Sequence, residues 1–571
     1  MFFSVCYFII GIGFISIVIS YVLIIVKCKQ KATVRIGLSN PEKEIRKFVQ
    51  APGPQPWPII GNLDLLGRFK SNPFEGLGAL TQQYGDIYSL TLGHSRCLVV
   101  NSLDLIREVL NKNGKFIGGR PDFIRYHKLF GGDRNNSLAL CDWSHLQQKR
   151  RNLARRHCSP RESSPYFNKM SQIGCNEINH LMRELNKAQP GKPYDIKKLV
   201  LGASANMFCE YMCSIRFDYS DKEFRRIVRY FDEIFWEINQ GYSLDFLPWM
   251  LPFYKKHTQK IMKWSTTIRK FILDRVIHQR EQMLDLDEPE NDFTDALLRS
   301  LKEDQDVSRN TIIFMLEDFI GGHSAVGNLV MLALAYIAKN PTIGRRIQHE
   351  ADIVSNKGRR LINLHDMDAM PYTMATIFEV LRYSSSPIVP HVAMEDTAIA
   401  GFGVTKGTIV FINNYMLNMS EKYWNSPDHF EPKRFLDENY KRNTWKTVKC
   451  NDHRRSSEAS DSGIEFEKEL DVHPITIDKF SSTKNYKKYN KISTEKCGYQ
   501  LKKNIPHFLP FSIGKRTCIG QNLVRGFGFV LLANIVQSYN VTSADISEIN
   551  INQASVALPA KCFPLVLWPR T

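Results

Sequence analysis

The chain has 571 residues, 43% of them hydrophobic, with twelve cysteines and a formal charge of +18. That length admits one large domain or several and the apolar share supports a sizeable core, while cysteines without framework spacing argue against a disulfide scaffold and for a reduced, cytosol-facing body. The positive balance calls for an acidic partner or an anionic membrane surface, and no zinc-ligand spacing or RNP-like motif supports nucleic acid as that partner.

Phe2 to Val26 contains no charged residue. As a helix this stretch spans about 38 Å, enough to cross a bilayer with some tilt. Lys27, Lys29 and Lys31 follow at once, and the positive-inside rule puts them and the rest of the chain in the cytosol. A cleaved signal peptide fits poorly, because the apolar run is too long and lacks a basic start. Residues 1–26 are expected to be a retained signal anchor, with the endoplasmic reticulum membrane as its address. Residues 27–62 read as a basic, proline-rich linker. Prolines 52, 54, 56 and 58 prevent a helix there and make a stiff hinge.

The body is expected over 63–571. Phe74 to Tyr84 has a helical pattern, and Ile87–Leu92 and Cys97–Asn101 read as strands joined by a turn at Gly93-His94. Residues 111–140 are rich in Gly, Asn and Asp and read as a long loop. Trp143 opens a helix that carries Lys149, Arg150, Arg151, Arg155 and Arg156, which suits either a solvated face or an electrostatic docking surface. Phe167 to Leu284 is mostly helical, interrupted by the apolar stretch Phe246–Phe253, where two prolines forbid a continuous helix. That stretch fits core packing or a second membrane contact beside Lys255, Lys256 and Lys260.

Thr311 to Lys339 is the longest helical run, with Asp318-Phe319-Ile320-Gly321-Gly322-His323-Ser324-Ala325-Val326 in its middle. Each mid-helix glycine costs about 1 kcal/mol relative to Ala, which implies a need for space. Glu379-x-x-Arg382 puts two charges on one helix face. Pro390-His391 and Phe430-x-Pro432-x-Arg434 follow. Residues 440–501 are polar and too poor in apolar surface to order themselves, so they read as a disordered insertion. Finally, Phe511-Ser-Ile-Gly514-Lys-Arg516-Thr-Cys518-Ile-Gly520 precedes an apolar helix. A cysteine beside a helix N-terminus has its thiolate favoured, which suits a metal ligand or a nucleophile.

The pattern Phe511-x-x-Gly514-x-Arg516-x-Cys518-x-Gly520 resembles the haem-binding loop of the cytochrome P450 family, the haem-thiolate monooxygenases. The Glu379/Arg382 pair, the Arg434 motif and the Gly321-Gly322 helix stand in that family's order. The resemblance implies a mainly α fold with a small β-rich lobe behind an N-terminal transmembrane anchor. It implies haem b with Cys518 as axial thiolate, a ligand that favours O–O cleavage. Phe511, Gly514, Arg516 and Gly520 would cradle the haem, with Trp143 and His391 meeting its propionates, and Ile388 and Val389 would line the substrate cavity. Glu379, Arg382 and Arg434 would form a buried structural triad behind the cysteine loop.

Two departures stand out. Gln147 occupies the place of a family arginine, so propionate pairing is expected to be weaker, or supplied by Arg150 or Arg151. Ser324 and Ala325 replace the acid and alcohol that deliver protons, which leaves Gly322, Ser324 and His323 as the catalytic candidates on this helix, or else ordered water. The altered helix and the run Glu379–Ser385 are similar to the insect Halloween-type enzymes of ecdysteroid synthesis. The expected partners are an NADPH-haemoprotein reductase, cytochrome b5, O2, membrane lipid and a lipophilic sterol. The alternatives are a haem-thiolate isomerase or dehydratase that needs no O2, and a non-catalytic haem or sterol binder.

Overall fold

The computed structural model describes residues 33–37, 45–68, 72–285, 287–385, 388–437 and 499–570. The expected anchor at 1–26, its flanking lysines and residues 440–498 of the expected insertion lie outside them. In chain order the helices that matter here are α1 (Pro73–Tyr84), α2 (Ile124–Leu129), α3 (His145–Cys158), α4 (Pro165–Leu185), α5 (Lys197–Cys213) and α6 (Lys222–Ile238). They continue with α7 (Lys255–Ile272), α8 (Arg309–Ile320), α9 (His323–Lys339), α10 (Pro341–Val354), α11 (Pro371–Tyr383) and α12 (Gln521–Ser538). Their starts follow local chemistry. Asn72, Ser144, Ser164 and Asp221 each accept a backbone N–H of the first turn, and Pro73 and Pro165 sit where a missing N–H costs nothing.

The core forms around α9, which is apolar on every side and packs against α5, α12, α10 and α11. Together α8 and α9 make the one run among the described residues long and apolar enough to cross a membrane, and it is mostly buried inside the protein. The run is not the single helix expected from the sequence. At Gly321 and Gly322 it tightens: the N–H of Gly322 bonds to Phe319, that of Ser324 to Gly321 and that of Ala325 to Gly322. These i→i−3 bonds break the α-helical ladder at the glycines.

Four small sheets flank the helices. One of the two four-stranded sheets among the described residues places β1 (Ile87–Leu92) antiparallel to β2 (Ser95–Val100), then β4 (Ile409–Ile412) parallel to β2, then the two-residue β3 (His391–Val392) at its edge. Gly93 turns the hairpin at φ +58°. Residues 111–140 are more ordered than expected, holding α2 and a 3-10 turn at Arg134–Asn136. The Phe246–Phe253 stretch becomes a 3-10 helix, Pro248–Tyr254, because its prolines deny α-helical bonds. The insertion ends earlier than expected, since Gln500–Leu501 pairs with Leu436–Asp437 and closes its base with a two-residue ladder.

Candidate active site

The cysteine loop is set by backbone geometry. Gly514 sits at φ +73°, and a Cβ there would stand 2.2 Å from the carbonyl oxygen of Leu110. Both facts require glycine. The N–H of Cys518 bonds to the Phe511 carbonyl at 3.0 Å, which fixes the sulfur at the mouth of α12. Gly520 differs: its φ of −82° suits any residue, and a Cβ would meet nothing within 4 Å. Since Gly520 lines the cavity in front of Cys518, the bare position leaves room there for an occupant.

Burial pushes the Cys518 thiol up, the Gly520 N–H and the Arg151 guanidinium pull it back, and a bound cation that takes the sulfur as ligand favours the thiolate.

Three buried guanidinium groups border the same cavity. Arg120 donates to the carbonyls of Ala139 (3.1 Å), Val389 (2.8 Å) and Pro390 (3.3 Å). Arg516 donates through Nη2 to Ala139 and Cys141, and Arg151 donates to Thr517 at 2.5 Å. None has an acidic partner among the described residues. Beside them His391, held at Ile117 through Nδ1 (2.8 Å), leaves Nε2 buried without a partner, as Arg516 leaves Nη1. Burial, together with the neighbouring positive charges, lowers all four groups, Arg151 to about 10 and His391 well below its ordinary value. Clustered, desolvated guanidinium groups, one with an orphaned Nη1 donor, fit a ligand that brings its own carboxylates, as the two propionates of haem do, and beside such a carboxylate His391 Nε2, a bare acceptor in the neutral ring, would take up a proton.

Sequence reasoning named Arg516, His391 and, as one of two options, Arg151. It missed Arg120, whose signal was a lone arginine before Pro121 in a glycine-rich loop. Gln147 donates to Leu138 and turns no charge to the cavity. Trp143 lies just before α3, half-buried under the Lys515 ammonium at 5.4 Å, and is not among the cavity-lining residues. Arg150 is likewise off the cavity, donating to Asn135.

Above the cysteine loop the cavity encloses about 470 Å³. Phe511 lies at its floor, and its walls are Phe208, Phe231, Ile234, Phe235 and Ile238, with Ile388 and Val389 opposite. Gly321, Gly322 and Ala325 face it from the α8–α9 break. The glycines also admit the walls, since a Cβ would press within 3.1 Å of Phe231 at Gly321 and of Phe208 at Gly322.

The expectation for His323 and Ser324 is corrected: neither lines the cavity. Residues 322 and 325 share a helix face, and the two between them are turned away. His323 is fully buried, donates to Ile320 at 2.7 Å, packs edge-on against Phe231, and lies 3.4 Å from the Ser324 hydroxyl. Burial drives it down to about 4, so it is a neutral packed residue.

Glu379, Arg382 and Arg434 meet in one buried cluster. Glu379 accepts from Arg382 Nε (2.7 Å) and Nη2 (2.8 Å), from Arg434 Nε (3.0 Å) and from the Glu431 N–H (2.8 Å). Phe435, next to Arg434, packs on Phe508 ahead of the cysteine loop, with ring centroids 4.9 Å apart.

The basic face of α3 is thinner than its sequence. Lys149 is taken by Asp306 and Arg156 by Glu290, and Arg151 is buried, which leaves Arg155 exposed without an acidic partner among the described residues.

A cysteine on a tight loop, an anion-seeking floor and an apolar chamber over a broken helix define a haem-thiolate site. The cytochrome P450 family profile matches residues 51–450 and 477–565. The chain belongs to the cytochrome P450 family and is a monooxygenase enzyme, and that family carries haem b on a cysteine thiolate. It is similar to cytochrome P450 307a1 of Drosophila melanogaster, 63% identical over 556 residues, 96% of this chain and 95% of that one. It is 26% identical to cytochrome P450 2F5 of Gorilla gorilla gorilla over 536 residues (91% and 94%). It is 28% identical to human cytochrome P450 1A1 over 422 residues (70% and 78%).

Proposed function

We propose that this protein is a membrane-anchored monooxygenase of the endoplasmic reticulum that oxidises a sterol intermediate of ecdysteroid synthesis, with electrons from an NADPH-haemoprotein reductase. Cytochrome b5 is a further partner beside the reductase. The observation that carries the reading is the apolar chamber that opens onto Cys518 beneath the Gly321–Gly322 break. The altered helix and the Glu379–Ser385 run, similar to the Halloween-type enzymes, support the sterol class.

Bound at Cys518, haem supplies the one-electron and dioxygen chemistry. The chain does the rest. Arg120, Arg151 and Arg516 would bind and orient the group through its carboxylates, beside which His391 would take up a proton and donate from Nε2. Phe208, Phe231, Ile234 and Phe235 exclude water and hold an apolar body. Ala325, facing the chamber, donates no proton, so protons arrive through ordered water or a substrate hydroxyl.

Membrane contact is supported by an exposed apolar patch. Trp57, Ile59 and Ile60 belong to the hinge, while Trp249 and Phe253 (80% exposed) belong to the 3-10 helix. Gly93 and His94 tie the two together, bonding to Ile60 and Phe246 at 3.0 Å each. Lys255 and Lys256 are exposed just beyond, placed for lipid headgroups. Arg155 and Lys515, exposed near the cysteine loop, are the cations left for a reductase.

The test is the full chain in vesicles with reductase, NADPH and candidate sterols, products being identified by mass. Consumption of NADPH and O2 coupled to a product one oxygen heavier is the expected result. One observation favours a second reading: with Ala325 on the cavity face, isomerase or dehydratase chemistry needs no proton relay to dioxygen. Turnover without NADPH and O2 would establish that reading, and a spectral shift without product would leave a binder.

A further inference from the structure

Among the aromatic and aliphatic walls of the cavity stand two acids, Glu317 and Asp318. Asp318 is already engaged, accepting from the Ser137 hydroxyl (3.1 Å) and the Leu138 N–H (2.5 Å). Glu317 is not satisfied in this way. Its two oxygens share a single donor, Nη1 of Arg269, at 3.4 and 3.2 Å. That same Nη1 makes its shorter bond to the Leu129 carbonyl at 2.7 Å. A carboxylate offers about four lone-pair sites, so this buried one keeps most of its accepting capacity. Burial pushes the Glu317 carboxyl up to about 8, with Arg269 opposing and Asp318 reinforcing. It therefore exchanges between acid and carboxylate near neutral pH. A hydroxyl, which both donates and accepts, bonds to either form.

We propose that Glu317, steadied by Arg269, is the polar anchor of the substrate cavity: it hydrogen-bonds a hydroxyl at one end of an otherwise apolar substrate and thereby sets which carbon lies beside Gly322 and Ala325. Glu317 stands five residues before Gly322 and eight before Ala325 and lines the same cavity. Glu317 acts as a specificity-determining residue, and the inference rests on the chamber being the substrate site.

The experiment measures dissociation constants by spectral titration of the haem-loaded enzyme with matched probes. One pair is cholesterol and its 3-deoxy analogue, and the other is farnesol and the corresponding hydrocarbon. Wild type prefers the hydroxylated member of a pair by about tenfold or more, the scale of one hydrogen bond to an ionisable group. Glu317→Gln keeps most of that preference. Glu317→Leu abolishes it, as does the double variant Glu317→Leu/Arg269→Met, which removes both charges if the single change fails to fold. The inference is overturned if wild type does not discriminate within either pair, if the preference survives in the leucine variants, or if no hydroxylated probe binds. Discrimination confined to the farnesol pair keeps the anchor and removes the sterol reading. Equal binding of cholesterol and its deoxy analogue, with no discrimination within the farnesol pair either, keeps the sterol reading and removes the anchor.

Discussion

Glu379→Ala is the most severe single change available outside the cavity. The native carboxylate accepts four hydrogen bonds, three of them from two guanidinium groups, in a cluster where Glu379 and Arg382 are fully buried. After truncation Arg382 keeps the carbonyls of Asn418, Pro427 and His429, and Arg434 keeps those of Asn425, Ser426 and His429. Those are neutral acceptors, so two buried positive charges lose their counter-ion and repel. Breaking such a pair costs about 3–5 kcal/mol, against a typical total of about 5–15 kcal/mol. The damage propagates through Phe435 and Phe508 to the segment that precedes the cysteine loop. The assay is haem per polypeptide after expression, read with thermal unfolding. Haem-free or aggregated protein is expected, with Glu379→Gln intermediate, since it keeps the shape and loses the charge. A Glu379→Ala protein with full haem content and an unchanged melting temperature would refute the reasoning.

Other variants separate causes that look alike in sequence. Gly514→Ala places a Cβ against Leu110 in left-handed backbone and should destabilise the protein by about 2 kcal/mol or more, measured by denaturant unfolding. Gly520→Ala meets no protein atom, so the haem-free protein should unfold at the same denaturant concentration while haem retention falls. Arg120→Met relieves repulsion among buried cations, so the haem-free form should be at least as stable as wild type and the loaded form should release haem faster, as followed by transfer to a scavenger protein. His323 is buried and neutral, with its proton affinity lowered from 6.5 to about 4. Below pH 6.5 the unfolded chain takes up a proton that the folded one refuses, so stability is lost as pH falls to about 4, by about 3 kcal/mol. The difference in unfolding free energy between wild type and His323→Gln should shrink by that amount over this window. A flat difference would mean that His323 is solvated or charged in the fold.

Much of this was legible because the chemistry is local. Gly514, Cys518 and Gly520 lie within seven residues, and the turn that joins them is written in their own backbone requirements. The α1, β1 and α11 stretches carried clear caps or periodicity, and the helix-spaced Glu379 and Arg382 needed only Arg434 to arrive from another motif. What was illegible depends on rotation and on long-range burial. Gly322, His323, Ser324 and Ala325 are adjacent in sequence, yet only the first and last of them face the cavity, a matter of helix phase at a break that no pattern announced. Arg120 and Arg151 gain meaning from being buried together with Arg516 and His391, and nothing in a one-dimensional charge pattern distinguishes them from solvated arginines. Glu317 gains its meaning only from Arg269, which reaches it from α7.

The most direct test of the central claim is the reduced, carbon monoxide-treated spectrum of the purified full chain beside Cys518→Ser. Wild type should show the thiolate-ligated absorbance, and the variant should lose it while its haem-free fold survives. The same thiolate-ligated band in Cys518→Ser would contradict the assignment of this sulfur to the iron, and with it the functional account built on it.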